Sequence, residues 1–227
     1  VLRDKALLRL AARQAMCLAV TPHWEGGFPS YFTGGSFDHR CFVQSRMAEE
    51  ISIIADLAGE LITDVGMDLI RRRVAEHALG SINYNVWKYE YIHHGNQLAA
   101  FSPGRILACL LLERSWPRVG PYTELALQDL IANLDGTILP DGGFGAGPHY
   151  LLYTMNSALR ALHYYARARG KALAEVIPES VRKTAAYAEA VYSSDDENAV
   201  VWLADGSSRR HGQSAFSSLA AALPDSL

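Results

Sequence analysis

The sequence predicts an all-α protein built from antiparallel helical hairpins. Two observations support this prediction: apolar residues recur with helical spacing along nearly the whole chain, and the connections between these segments are mostly short. Short connections favour antiparallel neighbours. Interleaved strand patterns are missing from the sequence, which excludes a doubly wound sheet or a TIM barrel.

Seven helices are expected in series. The stretch at 1–20 is amphipathic, and the next periodic segment repeats the i, i+4, i+7 spacing that places side chains on one face. In the first helix this face consists of Leu7, Ala11, Ala15 and Leu18, and in the second of Met47, Ile51, Ile54, Ala58 and Leu61. The other five helices are expected at about 64–79, 97–114, 122–135, 149–169 and 178–193, with stop signals at Gly80, Gly136 and Gly170.

Two segments break the helical pattern. One is an aromatic and glycine-rich loop at 21–40, and the other is the β-like stretch "NAVVWLADGSS" at 198–208. We therefore divide the chain into a helical domain at 1–195 and a C-terminal part at 196–227 that begins a β-rich region or an extension.

Composition limits the classes of function. A hydrophobic fraction of 49% in 227 residues is enough for a substantial core. The net charge of -3 argues against a DNA-binding protein. Cys17, Cys41 and Cys109 lack the CxxC spacing of a zinc or redox site, which predicts buried free thiols. No apolar run reaches the roughly 18 residues of a membrane span, and the first helix does not resemble a signal peptide.

Three segments are candidates for a functional site: 21–40, 91–97 and 140–150. Each precedes a predicted helix. If the hairpins form a ring, the loops at one end converge, and the three segments would line one groove.

Each of these segments also has a structural interpretation. His93 and His94 could be solvated loop histidines, and they lack the HxxxH or HExxH spacing of a metal site. The aromatic residues around Trp24 could either pack a long loop or stack on a sugar. Asp135 and Asp141 could be a paired acid and base or could cap helix ends.

The segment at 140–150 is rich in glycine and ends in a tyrosine, Tyr150. Several of its glycines suggest positive φ or close approach to another group, and a proline suits the first position of the following helix. Tyr150 would lie in the first turn of that helix, either as a functional phenol or as a core residue. The glycines are Gly142, Gly143, Gly145 and Gly147, and the proline is Pro148.

The stretch "DGGFGAGPHYLLY" resembles the DGSxxEGPxYxxY signature of heparinase II/III-like polysaccharide lyases. The matched positions are Asp141, Gly142, Gly147, Pro148, Tyr150 and Tyr153. The stretch "GNQLAAFSPGRILACLLL" is similar to the family's NHxxxxxxGxxxAGL helix start, with Asn96, Gly104 and Ala108 in register. A looser match covers 37–79, and together the matches extend over about residues 20–195.

The resemblance implies an incomplete α/α toroid that cleaves a uronic-acid polysaccharide, such as a glycosaminoglycan or alginate, by β-elimination. Tyr150 would transfer the proton, and Asn96, Gln97 and His94 would stabilise the charge on the sugar carboxylate. Substrate-binding residues would be His93, Trp24, Tyr153, His149 and Arg105.

The family's other properties are also expectations here. Such lyases act in the periplasm or outside the cell, and a β-sandwich domain after the toroid contributes a further catalytic histidine. No cofactor or metal is expected, and neither nucleic acid nor membrane insertion is predicted.

Two departures from the family pattern matter. Gln97 stands where many members have histidine, and Ala146 stands where the family usually has glutamate. Two alternatives remain open: a non-catalytic sugar-binding module, which these departures support, and a glycoside hydrolase on a helical toroid that uses carboxylates such as Asp38 and Asp141.

Overall fold

The computed structural model describes residues 4–22, residue 24 and residues 41–191. Most of the predicted loop at 21–40, with Asp38, and the β-like stretch at 198–208 lie outside the described residues. Within them the all-α prediction is confirmed, since the β-structure there is an isolated bridge between Ile138 and Phe144.

Eight α-helical segments follow one another along the described chain. They are α1 (Lys5–Val20), α2 (Phe42–Ala58), α3 (Asp64–Arg73), α4 (Gly80–Lys88), α5 (Gln97–Glu113), α6 (Gly120–Thr137), α7 (Pro148–Ala168) and α8 (Glu179–Val191). Because α3 and α4 are joined by a π-helical segment without a break, these segments form the seven helices that the periodicity predicts.

The predicted stop at Gly80 is wrong. The helix passes through the π-helical segment Val74–Leu79 and continues to Lys88, with Gly80 itself in the right-handed helical conformation. A Cβ at Gly80 would lie 3.2 Å from the carbonyl oxygen of Ala75, so the glycine fits the widened turn rather than ending the helix.

Other helix ends follow their local chemistry. The Asp4 carboxylate accepts from the amides of Ala6 and Leu7 at the start of α1, and the hydroxyl of Thr63 accepts from Gly66 at the start of α3. Gly170, with φ +64°, follows the end of α7 as the sequence predicts.

The described chain divides into two compact units. Unit 1 comprises the residues up to Tyr89 together with Pro103–Ala126, and unit 2 comprises Glu90–Ser102 and the residues from Leu127 onward. Helices α5 and α6 each contribute residues to both units.

Unit 1 packs small residues closely. A Cβ on Gly104 of α5 would lie 2.0 Å from the carbonyl oxygen of Ser45 in α2, so only glycine permits this approach of the two helices. Arg105, the next residue, is 1% exposed, and its Nε donates to Oδ1 of Asn83 over 2.7 Å. A buried guanidinium needs such an acceptor, because an unpaired buried charge is costly.

The cysteine prediction holds for two of the three thiols. Cys41 and Cys109 are buried, and burial raises the pKa of Cys109 to about 12. Cys17 is exposed, contrary to the prediction. The buried residues of α1 are Ala12, Ala15 and Ala19, and Cys17, two residues from both Ala15 and Ala19, lies on the opposite face of the helix.

Every helix in the described part of the chain is too short or too polar to span a bilayer.

Candidate functional site

The glycine-rich segment forms a tight turn between α6 and α7 in unit 2. The amide of Leu139 donates to the carbonyl of Gly143, and the amide of Gly142 donates back to the carbonyl of Leu139. One carboxylate oxygen of Asp141 accepts from the amide of Gly143 over 2.9 Å. Asp141 therefore has a local role in closing the turn, as an aspartate often does.

Gly142 is required because the turn packs against α8. Its φ is +85°, and a Cβ there would lie 2.1 Å from the carbonyl oxygen of Lys183. The contacting atom belongs to the main chain and cannot move aside as a flexible side chain would. The close approach that the sequence indicates at Gly142 is therefore to the protein's own backbone.

Gly145 differs from Gly142 in its surroundings. It is exposed, and a Cβ there would meet no atom within 4 Å. The next residue, Ala146, is also exposed, at the position where the lyase signature has glutamate. The outer part of the turn is thus open to solvent, while its inner part packs on α8.

The glycine-rich turn leads directly into α7, and Tyr150 lies in the first helical turn of α7. Gly147 precedes the helix with φ +90°, and Pro148 occupies the first helical position, where a missing N–H costs nothing. Tyr150 is partly exposed, so it is not a fully buried core residue. The ring of His149 meets the ring of Tyr150 edge-on, with the centroids 5.7 Å apart.

Tyr153 extends this aromatic surface by one helical turn and is exposed. Burial of part of its ring raises the pKa of the Tyr153 phenol, against an opposing effect of Arg160 and with a smaller raising effect of Tyr150. Tyr150 and Tyr153 are three residues apart on α7 and therefore lie on the same face of the helix.

The second candidate segment forms a 3-10 helix, Glu90–His94, followed by Gly95 and Asn96. Asn96 immediately precedes α5, and its carbonyl accepts from the amide of Ala100 at the start of that helix. The helix-start position that the sequence predicts for Asn96 is therefore the observed one. Gln97 is the first residue of α5, and its side-chain oxygen lies over Gly95.

The two histidines differ in exposure. His94 is exposed, with its Nε2 3.7 Å from a carboxylate oxygen of Glu90, which is an ion pair when the imidazole is protonated. His93 is partly buried, and its main-chain carbonyl accepts a hydrogen bond from the side-chain amide of Asn133. The two side chains therefore have different surroundings although they are adjacent in sequence.

Asn133 anchors this second segment and was not predicted from the sequence. Its Nδ2 donates to the carbonyl oxygens of His93 and Gly95, over 2.7 and 2.9 Å. Asn133 is 1% exposed, and its Oδ1 is buried without a hydrogen-bond partner. The available signal was an amide side chain within the otherwise apolar run "LIANL" of α6.

Helix α6 connects the two candidate segments: it carries Asn133, which binds the segment before α5, and it leads directly into the glycine-rich turn. The same helix ends at Thr137, and the glycine-rich turn begins directly after it. Asn133 lies four residues before Thr137, a rise of about 6 Å along the helix, so the C-terminal end of α6 carries both the anchor of the His93–Gln97 segment and the start of the turn that leads to Tyr150. Both segments belong to unit 2.

Trp24 and Arg105 belong to unit 1 instead. Trp24 is 1% exposed, and its indole N–H donates to the carbonyl of Leu18 over 3.1 Å. Its surroundings are those of a packed side chain, and so are those of Arg105. Their predicted roles in substrate binding remain predictions.

No group of three or more His, Cys, Asp or Glu side chains within the described ranges could hold a metal ion. No protein-family model matches the sequence, and no curated protein matches it significantly.

Proposed function

We propose that this chain is the helical part of a polysaccharide lyase that cleaves an acidic, uronic-acid-containing polysaccharide by β-elimination. The observation that carries the proposal is the way Tyr150 is held: a turn with two positive-φ glycines, closed by Asp141 and followed by Pro148, presents a partly exposed phenol in the first turn of α7. A plain helix start needs only a capping side chain.

The chemistry assigns each residue a distinct task. The base removes the proton from C5 of the uronic acid, the C4–O bond breaks, and a double bond forms between C4 and C5. The departing oxygen receives a proton, so no water is consumed. Tyr150 is the proton-transfer group, since a phenol oxygen can take up a proton and a phenol O–H can donate one.

Negative charge develops on the sugar carboxylate as the C5 proton leaves. Asn96 and Gln97 are suited to stabilise it, because an amide donor held at a helix start acts in the transition state without reorganising. His93 and His94, in the preceding 3-10 helix, are the candidates for further donors.

The arrangement of the helices, a further domain and the cellular location are part of the same proposal. The helices would form an incomplete α/α toroid, a β-sandwich domain would supply a further histidine, and the enzyme would act in the periplasm or outside the cell. The resemblance of the "DGGFGAGPHYLLY" and "GNQLAAFSPGRILACLLL" stretches to the lyase motifs supports these three statements.

A non-catalytic sugar-binding module is the second candidate. The observation that favours it is the exposed methyl group of Ala146 at the position of the family glutamate, which leaves the outer turn without a carboxylate. A glycoside hydrolase is less favoured, because one oxygen of Asp141 is engaged by the amide of Gly143.

Ultraviolet absorbance of the product tests the proposal, since only a lyase creates the C4–C5 double bond. The natural full-length protein is incubated with polygalacturonate, alginate, hyaluronan and heparin. We expect absorbance to rise with at least one of them. Chain cleavage without an absorbance rise would indicate a hydrolase, and binding without cleavage would indicate a binding module.

A further inference from the structure

Three aromatic side chains lie exposed together in unit 1. Tyr84 and Trp87 are on α4 and Tyr122 is in the first turn of α6, and they are 57%, 55% and 47% exposed. The rings of Trp87 and Tyr122 have centroids 6.2 Å apart and an interplanar angle of 37°. The opposite face of α4 is buried and includes Ile82 and Val86, so the aromatic residues occupy the outer face of the helix.

Lys88 adds a positive charge to this surface. Its Nζ donates to the hydroxyl of Tyr84 over 2.6 Å and lies 4.9 Å from the centre of that ring and 5.1 Å from the centre of the Tyr89 ring. The Tyr84 and Tyr89 hydroxyls accept hydrogen bonds from the ammonium group and thereby raise the pKa of Lys88. The ammonium group therefore lies beside the rings and is charged at neutral pH.

The composition of this surface is unusual for an exposed helix face. On α4 and in the first turn of α6, every exposed large apolar side chain is aromatic, and none is Leu, Ile, Val, Met or Phe. Exposed apolar side chains that cluster in this way mark interaction sites more often than single ones do. Tyrosine and tryptophan also combine a flat apolar face with a polar atom that stays hydrated.

We propose that Tyr84, Trp87, Lys88 and Tyr122, the aromatic platform, form a binding subsite for an acidic oligosaccharide. The C–H faces of pyranose rings would stack on Trp87 and Tyr122, and the ammonium of Lys88 would pair with a carboxylate or sulfate of the sugar. The choice of an acidic sugar rests on the proposed function, while the platform itself rests on the geometry of unit 1.

The same surface chemistry could serve a protein partner or a membrane interface. A saccharide is favoured because the exposed faces of Trp87 and Tyr122 can stack on the C–H faces of pyranose rings, and the exposed Lys88 ammonium complements an anionic sugar. The single lysine is also a weak electrostatic anchor for a lipid surface, where clusters of four to eight basic residues are typical. These occupants are outcomes of the experiment below.

Tryptophan fluorescence and titration calorimetry test the inference on the natural full-length protein. The probes are hexasaccharides of galacturonate, mannuronate and hyaluronan, with cellohexaose as the neutral control. We expect at least one acidic hexasaccharide to shift the tryptophan emission and to bind more tightly than cellohexaose. Added salt should weaken this binding, because the platform's charge is exposed.

Three variants locate the bound sugar. Trp87→Ala should raise the dissociation constant about tenfold or more, because a central aromatic contact is lost, while Trp87→Phe should remove the emission shift and keep part of the affinity. Lys88→Gln should weaken binding several-fold at low salt and have little effect at high salt. Leu10→Ala, which removes an exposed apolar side chain from α1, is the matched control and should bind as the parent does.

The outcomes separate this inference from the proposed function. Tyr150→Phe should bind the hexasaccharide with the parent's platform-dependent emission shift even where product formation stops. Binding that is unaffected by Trp87→Ala overturns the platform, even if the protein is an active lyase. Equal binding of cellohexaose overturns its preference for acidic sugars. Binding of vesicles or of a partner protein through Trp87, with no saccharide binding, overturns it as well.

Discussion

The side-chain amide of Asn133 donates to the main-chain carbonyl of His93 over 2.7 Å, which links the C-terminal part of α6 to the segment that leads into α5. A second bond from the same amide reaches the carbonyl of Gly95. One buried side chain thereby satisfies two carbonyl groups of an irregular segment, and such groups are costly to leave unpaired.

Asn133→Ala should lower the free energy of unfolding by about 1–3 kcal/mol, because two carbonyl oxygens lose their donor. Asn133→Asp keeps the shape but cannot donate from its ionised carboxylate, so it should be at least as destabilising. Denaturant unfolding measures both. Asn156→Ala, at an exposed position of α7, is the control and should change stability by less than about 0.5 kcal/mol. Parent-like stability of Asn133→Ala would contradict the anchoring role.

Gly142→Ala should be strongly destabilising, because its Cβ would collide with the Lys183 carbonyl and because φ +85° is unfavourable for alanine. Gly145→Ala introduces the same methyl group where no atom lies within 4 Å, and it should change stability by less than about 1 kcal/mol. Comparing the two melting temperatures tests the packing of the turn on α8. Similar melting temperatures for both variants would show that this contact does not hold the turn.

Asn96→Ala should reduce turnover on an active acidic polysaccharide by about 2–4 kcal/mol of transition-state stabilisation, which is the usual cost of losing one donor to a developing oxyanion. Its effect on the free energy of unfolding should be smaller. The initial rate of absorbance increase measures turnover, and denaturant unfolding measures the free energy of unfolding. A variant with parental turnover would remove Asn96 from the mechanism.

Tyr150→Phe should fold as the parent does and should form little unsaturated product, because it deletes the hydroxyl and keeps the ring. The melting temperature and the rate of product formation are measured on the natural full-length protein. If the rate persists while stability falls, Tyr150 has only a structural role.

The thiols should differ in reactivity and in their contribution to pH dependence. A thiol reagent should label Cys17 in the folded protein, and it should label Cys41 and Cys109 only after unfolding. Burial raises the pKa of Cys109 from 9.0 to about 12, so the folded state retains a proton that the unfolded state loses in this range. The stability from this thiol is present below pH 9 and is lost progressively toward pH 12.

A comparison of parent and Cys109→Ala between these pH values isolates the contribution of the thiol. The stability of the parent should fall more steeply with pH than that of the variant. Identical slopes would contradict the effect of burial on Cys109.

Helix count and most helix bounds were accessible from the sequence, because a buried face imposes its periodicity on consecutive residues. The starts of α5 at Gln97 and of α7 at Pro148 lie within one residue of their predicted positions. Gly80 shows where prediction from the sequence ends. A glycine at this position predicts the end of a helix, and only the packing around the π-helical segment decides that the helix continues.

The candidate site shows the same division. The sequence by itself determined the presence of a constrained turn before Tyr150 and of an asparagine at the start of α5, because backbone conformation follows from local glycine, proline and capping chemistry. Tertiary structure decided that Gly142 contacts the main chain of Lys183 and that Asn133 donates to the carbonyl of His93. It also decided that Trp24 is buried and that Trp87 and Tyr122 are exposed side by side. These relationships join residues far apart in the chain, and no local pattern encodes which of them meet.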